Sequence, residues 1–440
     1  MHQAASEATI AGTSAPATIF ALSSGAPPAG IAVIRISGPA AGAAVERLTA
    51  RACPTPRRAT LRNLIDPDNG ASLDRALLLW LPGPGSATGE DMAELHLHGG
   101  RAVTAAVLAV LARLPGLRPA GAGEFTRRAF ETGRIDLNEA EALADLLAAE
   151  TDSQRRNALL LSSGALSRAI AGWQDRILML SAKLEALLDF SDEDDVAPLD
   201  RAFAVDLAAL AEEIDRWRGR PPVERLRDGI RVVLAGPPNA GKSTLLNALV
   251  GREAAIVTPI AGTTRDLIEA PVSIGGTAFV ITDTAGVHDA GSDVVEAIGI
   301  DRAGEAIAAA DLILWLGDPA AAPGGAIRIG AQADRREHDP ARFDLLLSAQ
   351  TGEGMEALVG LLISRAAALL PVEGEAALSA RQREALDRLS EALDLARVER
   401  DTLLIAEALR LARAAIDALT GRAGTEAMLD GLFGRFCIGK

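Results

Sequence analysis

Ile230-Arg-Val-Val-Leu-Ala-Gly-Pro-Pro-Asn-Ala-Gly-Lys-Ser-Thr244 decides the fold of the central part of the chain. An apolar run with strand composition leads into a glycine-containing loop, and a helix is expected to begin after it. Backbone N–H groups around Gly236 and Gly241 can turn toward a phosphate chain, Lys242 can reach the β- and γ-phosphates, and the Ser243 hydroxyl can ligate Mg²⁺. The segment therefore predicts nucleoside-triphosphate binding. A chance match in a chain with 42 glycines is the alternative, and the order of strand, loop and helix argues against it.

Length and composition limit the class of protein. A chain of 440 residues with 49% apolar residues is expected to form about three domains with several cores. The net charge of −15 argues against a general nucleic-acid binder, so any nucleic-acid contact is local or shared with a partner. Cys53 and Cys437 are too few for a disulfide framework or a structural zinc site.

Membrane and targeting signals are absent from the sequence. Apolar runs such as Ala308–Leu316 are shorter than the 18 or so residues that a membrane span needs. The segment Met1–Pro16 has neither a cationic start nor an apolar block, so we interpret it as the flexible tail of a cytoplasmic protein.

The N-terminal part reads as a mixed α/β domain. Strands are predicted at 31–37 and 76–81 and helices at 39–50 and 101–114. Arg35 inside the first strand indicates an outward-facing or edge position. The alternation Ala93-Glu-Leu-His-Leu-His98 puts Glu94, His96 and His98 on one face, which is a polar binding face, a solvated face or, less favoured, a metal site.

Helical periodicity begins at Asn138 and continues through the leucines near 180 and a further helix at about 200–218. Pro221-Pro222 links this region to the nucleotide-binding segment, and helical spacing returns at Leu386, Leu389 and Leu393. Leu143, Leu146, Leu147, Ala408, Leu411, Ala415 and Leu419 are also expected on apolar helix faces. The predicted domains are 1–137, 138–228, 229–372 and 373–440, with an α/β nucleotide domain inserted into a discontinuous helical domain.

Two further motifs indicate a GTPase. Thr263 and Thr264 lie in a loop where a hydroxyl can complete the Mg²⁺ shell. Asp283-Thr-Ala-Gly286 ends a strand, so Asp283 is expected to hold Mg²⁺ through water and the Gly286 N–H to sense the γ-phosphate.

Base recognition is less regular. GTPases of this layout usually carry Asn-Lys-x-Asp, and the corresponding stretch here is Ala331-Gln-Ala-Asp334. The Asp334 carboxylate can still accept two hydrogen bonds from guanine, and Ser348 and Ala349 suit the usual backbone contact to the base. The Asn that ties the base to the phosphate loop and the Lys that covers the ring are missing. We expect guanine preference with lowered affinity.

Hydrolysis needs a residue that orients water. Val287, directly after the Asp-x-x-Gly motif, cannot do so because its side chain is apolar. Glu296 is the carboxylate that we assign to this role, the alternative being a solvated residue in the first turn of a helix.

The chain resembles the MnmE (TrmE) family of tRNA-modifying GTPases over nearly its whole length. Gly30–Gly38, Gly89-Glu-Asp with His98-Gly-Gly100, Gly123–Phe130 with Gly133–Leu137, Asp283–Gly286 and the terminal Phe436-Cys-Ile-Gly-Lys440 carry the resemblance. It implies an N-terminal mixed α/β folate-binding domain, a discontinuous helical domain and an inserted Ras-like P-loop GTPase domain.

The resemblance also implies a reaction and partners. A homodimer of this chain would work with the FAD-containing partner MnmG (GidA) as a heterotetramer and add an aminomethyl or carboxymethylaminomethyl group to C5 of the wobble uridine, position 34, of tRNA. The one-carbon donor would be 5,10-methylenetetrahydrofolate, with 5-formyltetrahydrofolate as an analogue.

Site residues follow from the same resemblance. The implied folate contacts are Arg35, Glu94, Arg134 and Lys440, and Arg134 replaces a lysine common in the family. Cys437 lies near the folate, with a role in the chemistry. The implied K⁺ ligands are Asn239, Thr258, the Ile260 carbonyl and Thr263, and those of Mg²⁺ are Ser243 and Thr264. Glu296 matches the water-positioning glutamate despite an extra residue, Gly291, in the loop before it. The GTP contacts are Asn239, Ala240, Gly241, Lys242, Ser243, Thr244, Thr258, Thr263, Thr264, Asp283, Thr284, Ala285, Gly286, Asp334, Ser348 and Ala349.

Two other functions remain open at this point. One is a regulatory GTPase switch in ribosome assembly or signalling, and the other is a folate-binding dimerisation module that has lost turnover. The N-terminal ligand face and the Cys-Ile-Gly-Lys end favour the modification enzyme, because a switch needs neither. K⁺-dependent GTP hydrolysis would eliminate the module without turnover.

Overall fold

The computed structural model describes residues 17–189, 201–252, 254–255, 268–284, 304–372, 374–422 and 426–440. The chain divides into two compact units. The N-terminal unit is Met1–Ala140 with Gly424–Lys440, and the central unit is Glu141–Ala423. The domain boundaries at 137, 228 and 372 stay predictions.

A single mixed sheet forms the N-terminal unit. Its described strands are β1 (Thr18–Leu22), β2 (Ile31–Ser37), β3 (Thr60–Ile65), β4 (Ser72–Leu81), β5 (Met92–His98) and β6 (Leu117–Pro119). They follow the order β3-β4-β5-β2-β1-β6, with β1 and β6 parallel and the other pairs antiparallel. The strand β3 has no counterpart among the predicted strands, because Arg62 and Asn63 interrupt its apolar alternation.

Two helices cover one face of this sheet. They are α1 (Ala41–Thr49) and α2 (Arg101–Arg113), and α3 (Glu124–Glu131) follows β6. Ile34, Leu78 and Leu95 point into the core beneath α1 and α2. Strand alternation then turns Arg35 and Glu94 to the opposite face. Arg35 is outward-facing, as predicted, but it lies on a central strand rather than an edge strand.

The central unit combines helices with a second sheet. Its helices are α4 (Leu137–Ala148), which crosses the unit boundary, α5 (Asp152–Ser162), α6 (Ala165–Asp189), α7 (Arg201–Arg218), α8 (Glu224–Arg227), α9 (Lys242–Arg252), α10 (Met355–Ala367), α11 (Ala380–Val398) and α12 (Thr402–Thr420). Its strands are β7 (Ile230–Ala235), β8 (Ala254–Ala255), β9 (Ile268–Ile274), β10 (Thr277–Asp283), β11 (Leu312–Trp315), β12 (Ile327–Ala331) and β13 (Leu345–Leu347), and short 3₁₀ helices occupy Pro319–Ala321 and Pro340–Arg342.

One hydrophobic core joins the two parts of the helical region. Trp173, Ile177 and Leu184 of α6 pack with Leu386 and Leu389 of α11, which confirms that the helical segments on both sides of the nucleotide domain belong together. The predicted faces of two helices were partly wrong. Leu147 and Leu411 are exposed, and in α12 the buried stripe runs instead through residues such as Leu409.

The second sheet has the order β13-β12-β11-β7-β10-β9-β8. The pairs from β13 to β10 are parallel, and β9 and β8 pair antiparallel at one edge. Its core residues include Leu234, Phe279, Leu314 and Met355. This inserted α/β domain confirms the predicted fold class.

The insertion begins and ends at one place. Val223 N–H donates to the Leu378 carbonyl over 3.0 Å, and Leu378 N–H donates to the Pro221 carbonyl over 3.2 Å. The segment entering the nucleotide domain is therefore hydrogen-bonded to the segment leaving it.

The C-terminal segment packs on the N-terminal unit, with which it clusters. Helix α13 (Glu426–Phe433) lies against α3, and Phe433 contacts both Phe130 and Phe436 with ring centroids 6.1 and 6.2 Å apart. Beyond it, Ile438 forms a β-bridge with Ala122. The last residues therefore pack into this unit although they are too few to form an element of their own.

Candidate functional site

The phosphate loop lies between β7 and α9. Gly236 has φ +144°, and a Cβ there would come within 3.1 Å of the Leu316 backbone, so glycine is required by the close approach of the chain after β11. Asn239 and Gly241 also have positive φ, +60° and +98°. These left-handed positions give the loop its tight curvature.

Lys242 is the first residue of α9 and is buried. Its Nζ donates to the Gly236 carbonyl over 2.8 Å and to the Pro237 carbonyl over 2.9 Å. Burial lowers the pKa of the ammonium, and the charge of Asp283 partly offsets that effect. The lysine is thus held by the loop that it is predicted to serve.

Ser243 and Asp283 meet beside the loop. The Ser243 hydroxyl donates to the Asp283 carboxylate over 2.5 Å, and Asp283 is buried at the end of β10. The parallel pairing of Asp283 with Leu234 of β7 brings the two together. The Thr284 hydroxyl donates to the Leu234 carbonyl over 2.9 Å, which holds the end of β10 against β7.

A hydroxyl and a carboxylate are hard oxygen ligands of the kind that Mg²⁺ prefers. Mg²⁺ sites for nucleotides need few protein ligands, because phosphate oxygens and water supply the rest. The Ser243–Asp283 pair fits such an ion.

A pocket next to the loop gathers the residues predicted to recognise the base. Its lining includes Gly241 and Thr244 from the phosphate loop and α9, Asp334 and Arg335 after β12, and Ser348 and Ala349 after β13. The other lining residues are Leu245, Ala331, Gln332, Leu347 and Gln350. The parallel pairing of Ala331 with Leu347 sets the two loops side by side. Asp334 also forms an ion pair with Arg335, with a distance of 3.4 Å between Oδ2 and Nε.

Gln332 is a site residue that sequence reasoning missed. Its Nε2 donates to the Asn239 carbonyl over 3.3 Å, so a side-chain amide does connect the base pocket to the phosphate loop, although the usual Asn is absent. The usual Asn is missing, as the sequence shows, and the contact that Gln332 makes in its place was not predicted. The signal in the sequence was an amide one position after the place where the Asn stands in Asn-Lys-x-Asp.

The predicted folate contacts lie in the N-terminal unit. Arg35 donates to Glu94 Oε1 from Nε over 3.1 Å and from Nη2 over 2.9 Å, because the two residues are direct cross-strand partners. The Arg35 guanidinium lies over the Phe125 ring, 5.7 Å from its centroid, and His96 Nε2 is 3.3 Å from Glu94 Oε2. The three polar side chains form one connected, half-buried group on the face of the sheet opposite α1 and α2.

The other predicted folate contacts are placed less directly. Gly439 packs against Leu22 so closely that a Cβ added to Gly439 would lie 2.1 Å from the Leu22 carbonyl oxygen. The last residues of the chain therefore run beside β1, the strand that pairs with β2 and so with Arg35. Cys437 is exposed, and its carbonyl accepts from the Lys440 N–H over 3.2 Å. Arg134 is exposed and packs on Gly89.

The metal alternative for this face finds no support in its geometry. His98 turns to Asp74, with 2.7 Å between Nδ1 and Oδ1. Across the ranges that the structure describes, no group of three or more His, Cys, Asp or Glu side chains is arranged to hold a metal ion.

Several predicted residues lie outside the described residues. They are Thr258, Ile260, Thr263, Thr264, Ala285, Gly286, Val287, Gly291 and Glu296.

Two family models match the chain. The model described as the GTP-binding protein TrmE N-terminus matches residues 18–134, and the MnmE helical domain model matches residues 137–437. Among curated proteins, the tRNA modification GTPase MnmE of Rhizorhabdus wittichii is 78% identical over 98% of both chains. Those of Sphingopyxis alaskensis, 57% identical over 88% of this chain and 96% of its own, and Zymomonas mobilis, 54% identical over 96% and 100%, are also similar.

Two solved GTPase structures are similar to part of the chain. Aquifex aeolicus Era is 23% identical with a TM-score of 0.24, covering 39% of this chain and 68% of its own. The G domain of the Thermotoga maritima FeoB iron transporter is 24% identical with a TM-score of 0.23, covering 31% and 98%.

Proposed function

The chain belongs to the MnmE family of tRNA modification GTPases, and on that premise we propose that it binds and hydrolyses GTP to drive modification of the wobble uridine of tRNA. The product is the 5-aminomethyl or 5-carboxymethylaminomethyl group at position 34. A reduced folate supplies the one-carbon unit, and the FAD-containing partner MnmG works in the same complex. We place the reaction in the cytoplasm.

One observation carries the GTPase part of this proposal: Lys242, the Ser243–Asp283 pair and the Asp334 pocket converge on one phosphate loop. Lys242 would exchange its loop carbonyls for phosphate oxygens. Asp334 would exchange its exposed partner Arg335 for the guanine ring. Each exchange keeps a hydrogen-bond partner for the ammonium or carboxylate, and the exposed Arg335 side chain stays in solvent.

Mg²⁺ would be held by Ser243 and Thr264, with Asp283 acting through water, and would neutralise charge on the β- and γ-phosphates. K⁺ would lie by Asn239, where the remaining ligands proposed are Thr258, Ile260 and Thr263. Glu296 would orient the attacking water. These roles outside the described residues rest on the family alone.

The open face of the N-terminal sheet supports the folate and dimer proposals. Ile31, Leu61 and Leu77 are 59%, 49% and 38% exposed, and by register they lie on the same face of the sheet as the Arg35–Glu94 pair. An apolar sheet face around a charged pair suits a second copy of the chain with a polar ligand enclosed between them. Arg35, Glu94, Arg134 and Lys440 are the proposed folate contacts, and Cys437 is the proposed group in the chemistry.

Among the described residues, no helix is both long enough and apolar enough to cross a bilayer.

Nucleoside analysis of tRNA tests the proposal. A strain lacking this chain should lose the wobble-uridine modification and regain it with the wild-type gene, whereas a Lys242→Ala copy should not restore it. Unchanged modification in the deletion strain would refute the proposal. Purified protein should hydrolyse GTP faster in K⁺ than in equimolar Na⁺.

A further inference from the structure

Gln332 is in contact with the phosphate loop at two points. Its Nε2 donates to the Asn239 carbonyl over 3.3 Å, and a methyl group on Gly241 would come within 3.4 Å of the same nitrogen. The amide therefore lies close to both loop residues with positive φ.

The backbone of Gln332 also organises the base pocket. Its carbonyl accepts from the N–H groups of Arg335, over 2.9 Å, and Arg336, over 3.0 Å, so it closes the turn that carries Asp334. Gln332 has φ +59° and Asn239 has φ +60°, a backbone region that side chains other than Gly, Asn and Asp rarely occupy. A single hydrogen bond thus joins two left-handed backbone positions, of which only the one at Gln332 is occupied by an unfavourable residue type.

We propose that Gln332 is a positioning residue that couples guanine recognition to the cation side of the phosphate loop. Its amide holds the Asn239 backbone in the left-handed conformation, and its carbonyl holds the Asp334 turn. This inference rests on the proposed function, in which Asn239 contributes to the K⁺ site. Gln332 stands at the position of the usual Lys, and its side chain makes the contact to the phosphate loop that the missing Asn would make.

Three substitutions of Gln332 distinguish the effect of its side-chain N–H donor from the effect of its left-handed backbone. Gln332→Glu keeps the length but replaces the donor with an acceptor, which repels the Asn239 carbonyl. Gln332→Asn suits the left-handed backbone but is one methylene too short to reach. Gln332→Lys restores a donor of sufficient length. Arg336→Gln is the charge control, because it makes the same change in net charge as Gln332→Glu on the same exposed turn.

Two measurements read the coupling. The first is the affinity for a fluorescent GDP derivative in K⁺-free buffer, which does not depend on catalysis. The second is the K⁺ concentration for half-maximal GTP hydrolysis. Thermal unfolding of each variant reports whether it folds.

Gln332→Glu and Gln332→Asn should weaken GDP binding by about 3- to 10-fold, the range expected for one hydrogen bond, and raise the half-maximal K⁺ concentration. Gln332→Lys and Arg336→Gln should stay within about two-fold of wild type on both measurements. The proposal is overturned if Gln332→Glu and Gln332→Asn both bind GDP as tightly as the wild type does. It is also overturned if these variants bind GDP more weakly while the half-maximal K⁺ concentration stays unchanged. If GTP hydrolysis by the wild-type protein does not depend on K⁺, the K⁺ part of the proposed function is refuted, and the coupling is refuted with it. The GDP affinities would still show whether the hydrogen bond from Gln332 to Asn239 supports nucleotide binding.

Discussion

Replacement of Gly123 by alanine should release the C-terminal segment from the N-terminal unit. Gly123 precedes α3 with φ +65°, and an added Cβ would lie 2.3 Å from the Phe433 carbonyl oxygen. No real Cβ tolerates that distance, so α13 must move. Gly133 provides the matched control, since it follows the same helix with φ +69° and has nothing within 4 Å of its Cβ position.

The two variants share one cost and differ in another. A left-handed alanine costs about 1 kcal/mol in both. Gly123→Ala additionally exposes Phe433 and Phe436, which are both buried, at about 1.5–3 kcal/mol for each fully buried side chain. The ion pairs of Arg127 with Glu426 and Asp430 contribute little, because both acids are largely exposed. The expected difference is about 2–4 kcal/mol.

Urea denaturation of the two variants measures the difference, and hydrogen exchange over residues 426–440 locates it. Gly123→Ala should lose protection in that segment and Gly133→Ala should keep it. Because Cys437 and Lys440 move with the segment, Gly123→Ala should also lower tRNA modification while GTP hydrolysis is unchanged. Equal losses of stability with equal protection of residues 426–440 would refute the steric reasoning.

Three further predictions concern the nucleotide and folate sites. Asp283→Asn should weaken Mg²⁺-dependent binding of a fluorescent GTP analogue by more than about 10-fold, with far less effect in EDTA, because the carboxylate acts on the ion; equal loss with and without Mg²⁺ would contradict that role. Glu94→Gln should lower the calorimetric affinity for 5-formyltetrahydrofolate and leave GTP hydrolysis at the wild-type rate, and a parallel loss of both would contradict separate sites. Burial lowers the pKa of Lys242 in the folded protein below its ordinary 10.5. Between the lowered pKa and 10.5 the unfolded chain binds more protons than the folded chain, so the free energy of unfolding should rise with pH over that interval. Lys242→Met should flatten that rise in the urea midpoint, and an unaltered slope would show that other groups cause it.

Local patterns made much of the nucleotide domain predictable. The phosphate loop, Lys242, Ser243 and Asp283 were found because strand, loop and helix succeed one another within a few residues, and each residue type has one chemical use there. Asp334 and Ser348 were predicted only from their positions relative to the usual base-recognition motifs. The parallel pairing of β12 with β13 places both residues in one pocket.

Long-range packing was not predictable from the same patterns. The tie from Gln332 to Asn239 crosses 93 positions and depends on two left-handed backbones that no local pattern announces. Leu411 looked like a core residue because helical spacing gives a stripe but not its exact rotation against a partner helix. The packing of α13 on α3 depends on a glycine contact that composition does not reveal.

The nucleotide domain is inserted at one point of the helical region, because the segments that enter and leave it are hydrogen-bonded to each other. The two segments are held side by side by hydrogen bonds between Pro221, Val223 and Leu378, so the entry and exit of the domain are adjacent. Closing the gap with a short turn would add little loop entropy. A gene in which the inserted residues are replaced by such a turn, or by another domain whose termini lie side by side, should still encode a folded helical unit.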